Sequence, residues 1–305
     1  MTELTEFQRK LSALLPDVEL RFEEALAKHT SFRIGGNAEV MAFPKTKEEL
    51  ADILKACAEL NHKCAILGAG TNVLAPDEGV RGLVVCLKDC LGGMERLDET
   101  RIRVMAGMTM ARAAVNAANL GLAGMEFAHG IPGTVGGGVF MNAGAHGFSL
   151  SDVLLSVTAY KSDEDKIKTY FPEELNTSYR YSVFQDNNEI ILRVKLRLNA
   201  SVGETAMTHV REYLSHRRKT QPLTMPSAGS FFRRPAEGYP LSALLDEMGL
   251  KGLRIQDAAV SKKHAGFIVN LGAARAADVK ALAARIADRV EKEKGFRPVP
   301  EVRFL

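Results

Sequence analysis

The chain has 305 residues, of which 46% are hydrophobic and 25% charged; that is ample for a sizeable core and excludes wholesale disorder. Forty basic residues stand against 37 acidic ones, for a net charge of +3, with no long basic run outside His216-Arg217-Arg218-Lys219, so nucleic-acid binding is not called for. The polar start, Met1 to Lys10, has no apolar leader core, and no stretch approaches the ~18 consecutive apolar residues needed to span a bilayer. The sequence therefore predicts a soluble, cytoplasmic protein without a membrane partner. A prior of about 150 residues per domain gives two or three substructures. Cys57, Cys64, Cys86 and Cys90 form no Cys-x-x-Cys, and no Cys/His pair has zinc spacing, so buried, reduced thiols and no metal are expected.

Phe7, Leu11, Leu14 and Leu15 have helical spacing and Pro16 ends the run, predicting an N-terminal packing helix. A polar loop, 29–38, leads into an extended run at Glu39-Val40-Met41-Ala42-Phe43. Thr46-Lys47-Glu48-Glu49 reads as a capping box opening an amphipathic helix through Leu50, Ile53, Leu54, Cys57 and Leu60, and 64–67 as a buried strand. This β-α-β unit delivers Gly68-Ala69-Gly70-Thr71-Asn72 at a strand's carboxyl end, where α/β sheets commonly bind ligands. It is not a Rossmann fingerprint, because Val73 stands at the third glycine position and Pro76 discourages the helix that should follow.

Segments 83–87 and 101–105 are strand-like, and Thr109 caps a second helix, 110–120, with Gly121 at its C′ position. The densest glycine stretch, 129–147, comes next. Glycine is costly to order and is retained where another backbone or a ligand approaches closely. Ile131, Val135, Val139, Phe140 and Met141 want burial, unlike the residues of a Gly/Ser linker, so a packed, ligand-facing loop is expected. Pro132 and Gly133 mark a turn, and Pro132 could open a short helix whose free amides suit a pyrophosphate. A hairpin is predicted from 153–160 and 167–171 around the polar tip Ser162-Asp163-Glu164-Asp165, then a strand over 190–198. Asn199-Ala200-Ser201-Val202-Gly203 is the best domain boundary. Beyond it lie a helix over 204–219, a Pro- and Ser-rich segment, a short helix over 241–248 stopped by Gly249, an extended run over 264–271, and a long amphipathic helix over 276–294 ended by Gly295.

Two glycine-rich loops, 68–72 and 130–147, in one α/β body point to a large dinucleotide with two phosphate-contacting segments. No Walker, Gly-x-Ser-x-Gly or His-Glu-x-x-His motif is present, which leaves cofactor chemistry. Taken alone, Ser230 reads as a turn serine, Arg180 as a surface cation and Glu301 as a solvated terminal charge.

Their company changes that reading. The motifs are His29-Thr30-Ser31-Phe32-Arg33-Ile34-Gly35-Gly36, Leu67-Gly68-Ala69-Gly70-Thr71-Asn72, Gly130-Ile131-Pro132-Gly133-Thr134-Val135-Gly136-Gly137 with Met141-Asn142-Ala143-Gly144-Ala145, Tyr179-Arg180-Tyr181-Ser182 and Gly229-Ser230-Phe231-Phe232. They continue through Gly249-Leu250-Lys251-Gly252, Val260-Ser261-Lys262-Lys263-His264-Ala265-Gly266-Phe267-Ile268-Val269-Asn270 and Pro300-Glu301-Val302-Arg303-Phe304. Together, and in this order over nearly the whole chain, they resemble the UDP-N-acetylenolpyruvoylglucosamine reductases, in the short subclass without an inserted tyrosine-bearing loop.

The resemblance implies an α+β protein: a two-subdomain FAD-binding fold of the vanillyl-alcohol-oxidase/PCMH type followed by an α+β substrate-binding domain. Its boundaries would be an N-terminal helical segment (1–30), an FAD-binding domain (31–200, subdomains about 31–87 and 88–200) and a C-terminal domain (201–305). It implies non-covalent FAD, NADPH as co-substrate, a monomer, and reduction of UDP-N-acetylglucosamine enolpyruvate to UDP-N-acetylmuramate. Hydride would pass from flavin N5 to C3 and a proton from Ser230 to C2, with Arg180 and Glu301 as electrostatic partners. Cofactor contacts would fall on Arg33, Gly35 and Gly36; on Gly68, Ala69, Gly70, Thr71 and Asn72; and on Gly130, Ile131, Pro132, Gly133, Thr134, Gly136, Gly137, Asn142 and Gly144.

A serine is a poor acid, so Ser230 needs a strongly basic carbanion and a network that stabilises its alkoxide. The Arg180 fork suits an enolised carboxylate. Glu301 fits beside a developing anion if protonated, or as the orienter of a neighbour. Arg33, Arg217, Lys219, Arg233 and Lys263 are candidates for phosphate contacts, and His264 for an oriented site residue or a hydrogen-bonded core histidine. Two departures stand out: Arg234 before Pro235, where some relatives carry Asn, and Gln256-Asp257, where many carry Gly-Gly. Two rival readings are another FAD oxidoreductase or oxidase of the same fold, which would turn over without NADPH, and a non-catalytic nucleotide-sugar binding protein, which would purify colourless.

Overall fold

The protein is seen in a computed structural model that describes residues 4–62, 64–88, 90–162, 164–187, 189–202, 204–235 and 240–305. Met1 to Glu3 of the polar start, Asp163 of the hairpin tip and Gly203 of the expected boundary lie outside the described residues. The chain forms two units whose ranges interleave: Met1–Phe22, Val40–Ala69 and Gly82–His216 make one, and Glu23–Glu39, Gly70–Arg81 and Arg217–Leu305 the other.

In the first unit, Thr5 and Gln8 cap the helix Glu6–Leu14 reciprocally, and its Phe7 and Leu11 are buried. Thr46 accepts the Glu49 N–H at 3.1 Å and opens the helix Lys47–Glu59. The Glu49 carboxylate reaches one residue further back than a capping box requires, to the Lys45 N–H at 2.7 Å. The strand Cys64–Leu67 pairs in parallel with Val80–Cys86, with Leu67 opposite Cys86, and so presents Gly68 at its carboxyl end. A five-stranded sheet follows, in the order Lys166–Tyr170, Leu154–Lys161, Ile190–Arg197, Arg101–Met105 and Met94–Arg96, antiparallel throughout. Exposed Lys166 and Lys168 on its outer strand discourage edge-to-edge pairing. Val104, Val157 and Val194 bring this sheet into one core with Met110 and Val139 from the helices. Among the strands that escape the sequence pattern, Glu19–Ala25 carries three glutamates among seven residues, and Met94–Arg96 is too short to show a period.

In the second unit, Ser227–Ser230, Phe267–Asn270, Ala258–Val260 and Arg254–Ile255 form an antiparallel sheet in that order. The expected run over 264–271 shortens to Phe267–Asn270 because Ser261 Oγ draws the Lys263 and His264 amides into a turn before it. Val260 and Ile268 of the sheet share a core with Val279, Leu282, Ile286 and Val290 of the helix Ala276–Lys294. Gln256, at φ +47°, sits in the two-residue hairpin turn before Ala258, where a glycine pair would be relaxed. Arg303–Phe304 pairs in parallel with Val73–Leu74.

Cys57, Cys86 and Cys90 are buried and Cys64 half-buried, with no disulfide among the described residues. Burial pushes the Cys90 thiol up to about 11, and donating a hydrogen bond to Cys57 pushes Cys64 above the ordinary thiol range. Among the described residues no helix is long and apolar enough to cross a membrane.

The long helix ends at Gly295, left-handed at φ +78°, as its sequence predicts. Its start is capped from far away: the Asp77 carboxylate accepts the Ala276 and Ala277 amides at 2.7 and 2.9 Å. Two N–H bonds and a negative charge at the helix start make this a strong cap. Asp77→Ala is expected to lower stability by about 1–2 kcal/mol, read as a lower urea midpoint at unchanged slope, with Asn recovering part of the loss.

Candidate active site

In the first unit the glycine-rich stretch is docked by its backbone. The Met110 amide donates to Gly133 C=O at 3.0 Å, the Val135 amide to Met108 C=O at 2.8 Å and the Gly136 amide to Ala106 C=O at 2.8 Å. A helix does form here, but it spans Val135–Phe140, three residues later than a start at Pro132, and its N-cap is Thr134, whose Oγ1 accepts the Gly137 amide at 3.2 Å. Its first amides are taken by Met108, Ala106 and Thr134, so the expectation that they point at an anion is corrected. The amides left without an acceptor among the described residues are those of Gly130, Gly133 and buried Thr134, just before the helix.

The glycines have two different reasons. A Cβ on Gly136 would lie 3.0 Å from Ala106 Cβ, and one on Gly138 2.8 Å from Met110 Sδ, so both permit helix packing. A Cβ on Gly68 would meet Thr134 Oγ1 at 2.7 Å, which seats the strand end against the cap. Gly137 is exposed, and a Cβ there would meet only Thr134 Oγ1, at 3.4 Å. A floor closed by packing, an open side at Gly137 and orphaned amides at 130, 133 and 134 fit a ligand rich in hydrogen-bond acceptors, as the dinucleotide FAD is. As expected of a packed loop, Val135, Val139 and Met141 are buried; Ile131 and Phe140 are half-buried.

Arg180 lies in the same unit, at the tip of a turn closed by mutual Ser178 and Tyr181 backbone bonds of 3.2 Å. Its φ of +57° is rare for a side chain other than glycine. Arg180 Nη2 donates to Gly144 C=O at 3.0 Å, while the Asn142 amide donates to Ser178 C=O at 2.9 Å. Gln185 Nε2 donates to the carbonyls of both Arg180, at 3.0 Å, and Phe140, at 2.9 Å. Three sequence candidates, Asn142, Gly144 and Arg180, thus converge. Gln185 was not visible as a partner, because one of the carbonyls it bridges, that of Phe140, is 45 residues away in sequence.

The second unit gathers the other group. Gly70, at φ +60°, lies against His29, since a Cβ would sit 2.1 Å from the His29 carbonyl, and a Cβ on Gly36 would sit 2.3 Å from that of Asp77. Arg33 is exposed at φ +54°; the Asn270 amide donates to Phe32 and Arg33 carbonyls at 3.2 and 3.4 Å. Ser230 is exposed at the end of its strand, beyond a bulge in which Gly229 takes φ +80°. The Glu301 amide donates to Phe231 C=O at 2.8 Å, and Asn72 Nδ2 donates to Glu301 C=O at 3.2 Å. Ser230, Glu301, Asn72, Gly70, Gly35 and Arg33 therefore belong to one unit, and Arg180 with Gly68, Ala69, Gly144 and the 130–142 candidates to the other.

Cations cluster in this second unit. Both Arg217 Nε and Nη2 donate to Gln221 Oε1, at 2.9 and 2.6 Å, and burial pushes the guanidinium pKa down to about 10. Lys263 Nζ donates to Arg218 C=O at 2.5 Å. His264 Nδ1 accepts the Gly266 amide at 3.2 Å; burial first, then the charges of Lys251 and Arg217, lower its pKa, with Asp246 opposing. Arg233 Nε is buried with no hydrogen-bond partner among the described residues. Such a set favours an anionic ligand. His29 pairs with Glu24 at 2.8 Å, which holds the Glu24 carboxyl below its ordinary value.

Residues 38–169 match an FAD binding domain, and residues 221–305 the C-terminal domain of UDP-N-acetylenolpyruvoylglucosamine reductase. A protein of Syntrophomonas wolfei bearing that reductase's name is 37% identical over 291 residues, 95% of this chain and 96% of that one. The chain belongs to the UDP-N-acetylenolpyruvoylglucosamine reductase family. Another reductase, from Pseudothermotoga lettingae, is 40% identical over 93% of this chain and 97% of its own. The crystal structure of the reductase from Thermus caldophilus aligns with a TM-score of 0.77 at 33% identity, covering 94% of this chain and 98% of that one. This reductase-family chain is accordingly an α+β flavoprotein oxidoreductase, with an FAD-binding domain followed by the family's C-terminal domain.

Gly68→Ala should force Thr134 to shift, costing about 1–3 kcal/mol and lowering the flavin retained on purification, measured by the 280 nm to flavin-band absorbance ratio. The His264 pKa lies below its unfolded value, so the neutral ring's contribution is complete above about pH 6.5 and is lost as the pH falls through the folded value. Urea midpoints at pH 7.5 and 5.5 should show a smaller acid loss in His264→Gln than in the parent protein.

Proposed function

We propose that this chain reduces UDP-N-acetylglucosamine enolpyruvate to UDP-N-acetylmuramate with NADPH, as a soluble cytoplasmic monomer serving peptidoglycan precursor synthesis. The observation that supports the reading most is the pairing of Ser230's strand with Glu301's segment, where the Glu301 amide bonds the carbonyl of the residue after the serine. FAD, for which the residues around Gly68 and the 130–137 stretch would be holders in the first unit, would supply the two-electron carriage between NADPH and C3 of the enolpyruvyl group.

The chain's own residues handle the charge and the proton. Addition at C3 leaves an electron pair shared by C2 and the adjoining carboxylate. The fixed guanidinium fork of Arg180 opposes that charge, and the strained, multiply bonded turn keeps its backbone in place. Ser230 Oγ gives its proton to C2 and is left as an alkoxide, which solvent reprotonates. Ser230's exposed position suits both transfers. Glu301 stabilises the developing anion as a protonated acid or orients a neighbour by hydrogen bonding. Arg217 and Lys263 suit the diphosphate of the nucleotide sugar, with neutral His264 as a hydrogen-bonding partner.

The test is an anaerobic titration of the purified yellow protein. NADPH should bleach the flavin band and the enolpyruvyl sugar should restore it. Restoration by oxygen alone would favour an oxidase, and a colourless protein that cannot be reconstituted would leave a binding protein. Ser230→Ala is expected to bleach normally but to recolour about 10²–10⁴-fold more slowly.

A further inference from the structure

Asn72, which closes the first glycine-rich loop, and Asn142, which lies within the second, sit where a sequence reading places ligand contacts. The structure engages both side chains elsewhere. Asn142 is only 6% exposed; its Nδ2 donates to Ser178 C=O at 2.9 Å and its Oδ1 accepts the Ser151 amide at 3.0 Å. A buried amide with both ends bonded to protein is committed to those bonds. Ser178 opens the turn that carries Arg180. The same short segment grips that turn twice more: Gly144 C=O accepts from Arg180 Nη2, and Gln185 bridges Phe140 C=O to Arg180 C=O.

Asn72 does the corresponding thing in the other unit. Its carbonyl accepts the Arg303 amide at 2.9 Å, beside the parallel pairing of Val73 with Arg303. Its side chain then reaches past the last backbone rung to Glu301 C=O at 3.2 Å. The Glu301 amide is bonded to Phe231 C=O, so the backbone of this residue is held from two sides.

We propose that Asn142 and Asn72 are positioning residues for the protonation half of the reaction, Asn142 fixing the turn of Arg180 and Asn72 the segment of Glu301. The inference rests on the reduction proposed above. Loading electrons from NADPH needs neither Arg180 nor Glu301, whereas discharge to the enolpyruvyl sugar needs both. Loss of either asparagine amide must therefore separate the two halves of the cycle.

The experiment uses the full chain, with Asn142→Ala and Asn72→Ala each compared with the parent protein. Flavin affinity is read by fluorescence titration of the stripped protein with FAD, bleaching by NADPH and recolouring by the enolpyruvyl sugar by anaerobic stopped flow. Flavin affinity and bleaching rate are expected within threefold of the parent. The recolouring rate should fall at least tenfold, and in steady state kcat should fall more than KM rises. A tenfold loss of flavin affinity with normal recolouring at saturating FAD would make the asparagines cofactor contacts, and an equal fall in both half-reactions would make them general scaffold; either overturns the proposal. Should Asn142→Ala not fold, Gln185→Ala removes the grip on the Arg180 carbonyl and is read against the same outcomes. A parent protein that bleaches but is not recoloured by the sugar would defeat the proposed reaction itself, independently of the variants.

Discussion

Backbone laid directly on backbone between residues 106–110 and 133–136 is the constraint on which the first unit's site depends. Three amide-to-carbonyl bonds hold it, and Gly136 permits it, because Ala106 occupies the space a side chain would need. From that contact the rest follows in chain order. Thr134 is fixed as a helix cap, Gly68 seats against its hydroxyl, and the six-residue helix delivers Phe140 at its far end. Phe140, Asn142 and Gly144 then present a carbonyl, an amide and a carbonyl to the neighbouring segment. The left-handed Arg180 is held by that presentation, since an isolated arginine would not stay at φ +57°.

The second unit meets a comparable demand with different means. Its reactive candidates sit on short strand ends, which fray when their last backbone groups go unpaired. Asn72, Asn270 and Asp77 each supply a side-chain bond where the backbone ladder or helix runs out. The cationic groups near His264 lie in this unit as well, and Arg217 bonds a neutral amide where a carboxylate would cancel its charge. A guanidinium kept buried with a neutral partner retains its field for an anion.

Features set by neighbours in sequence were legible. The caps at Thr46 and Thr109, the glycine stops at 121, 249 and 295, and the helices they bound lie where the pattern places them. The parallel strand that ends at Leu67 and presents Gly68 was legible for the same reason, and the ordered motifs sufficed to point to the family. What failed was anything decided by distant chain. Pro132 looks like a helix start until Met108 and Ala106 take the amides of Val135 and Gly136 and set the start later, and nothing near Ala276 announces Asp77. Two-residue strands such as Val73–Leu74 carry no period at all. The dense glycines read correctly as a place of close approach, but part of what approaches is the protein's own Ala106 and Met110.

The interleaving of the second unit shapes how the chain is made. Asp77 precedes the amide it caps by 199 residues, which is about 10–40 s of synthesis at roughly 5–20 residues per second. Phe32, Ile34 and Leu74 wait longer still, because the core they join is completed by residues as late as Val290 and Val302. The first unit, whose last residues lie near 216, is fully synthesised well before then. On the ribosome these three apolar side chains go without their full cover until almost the last residues of the core have been made.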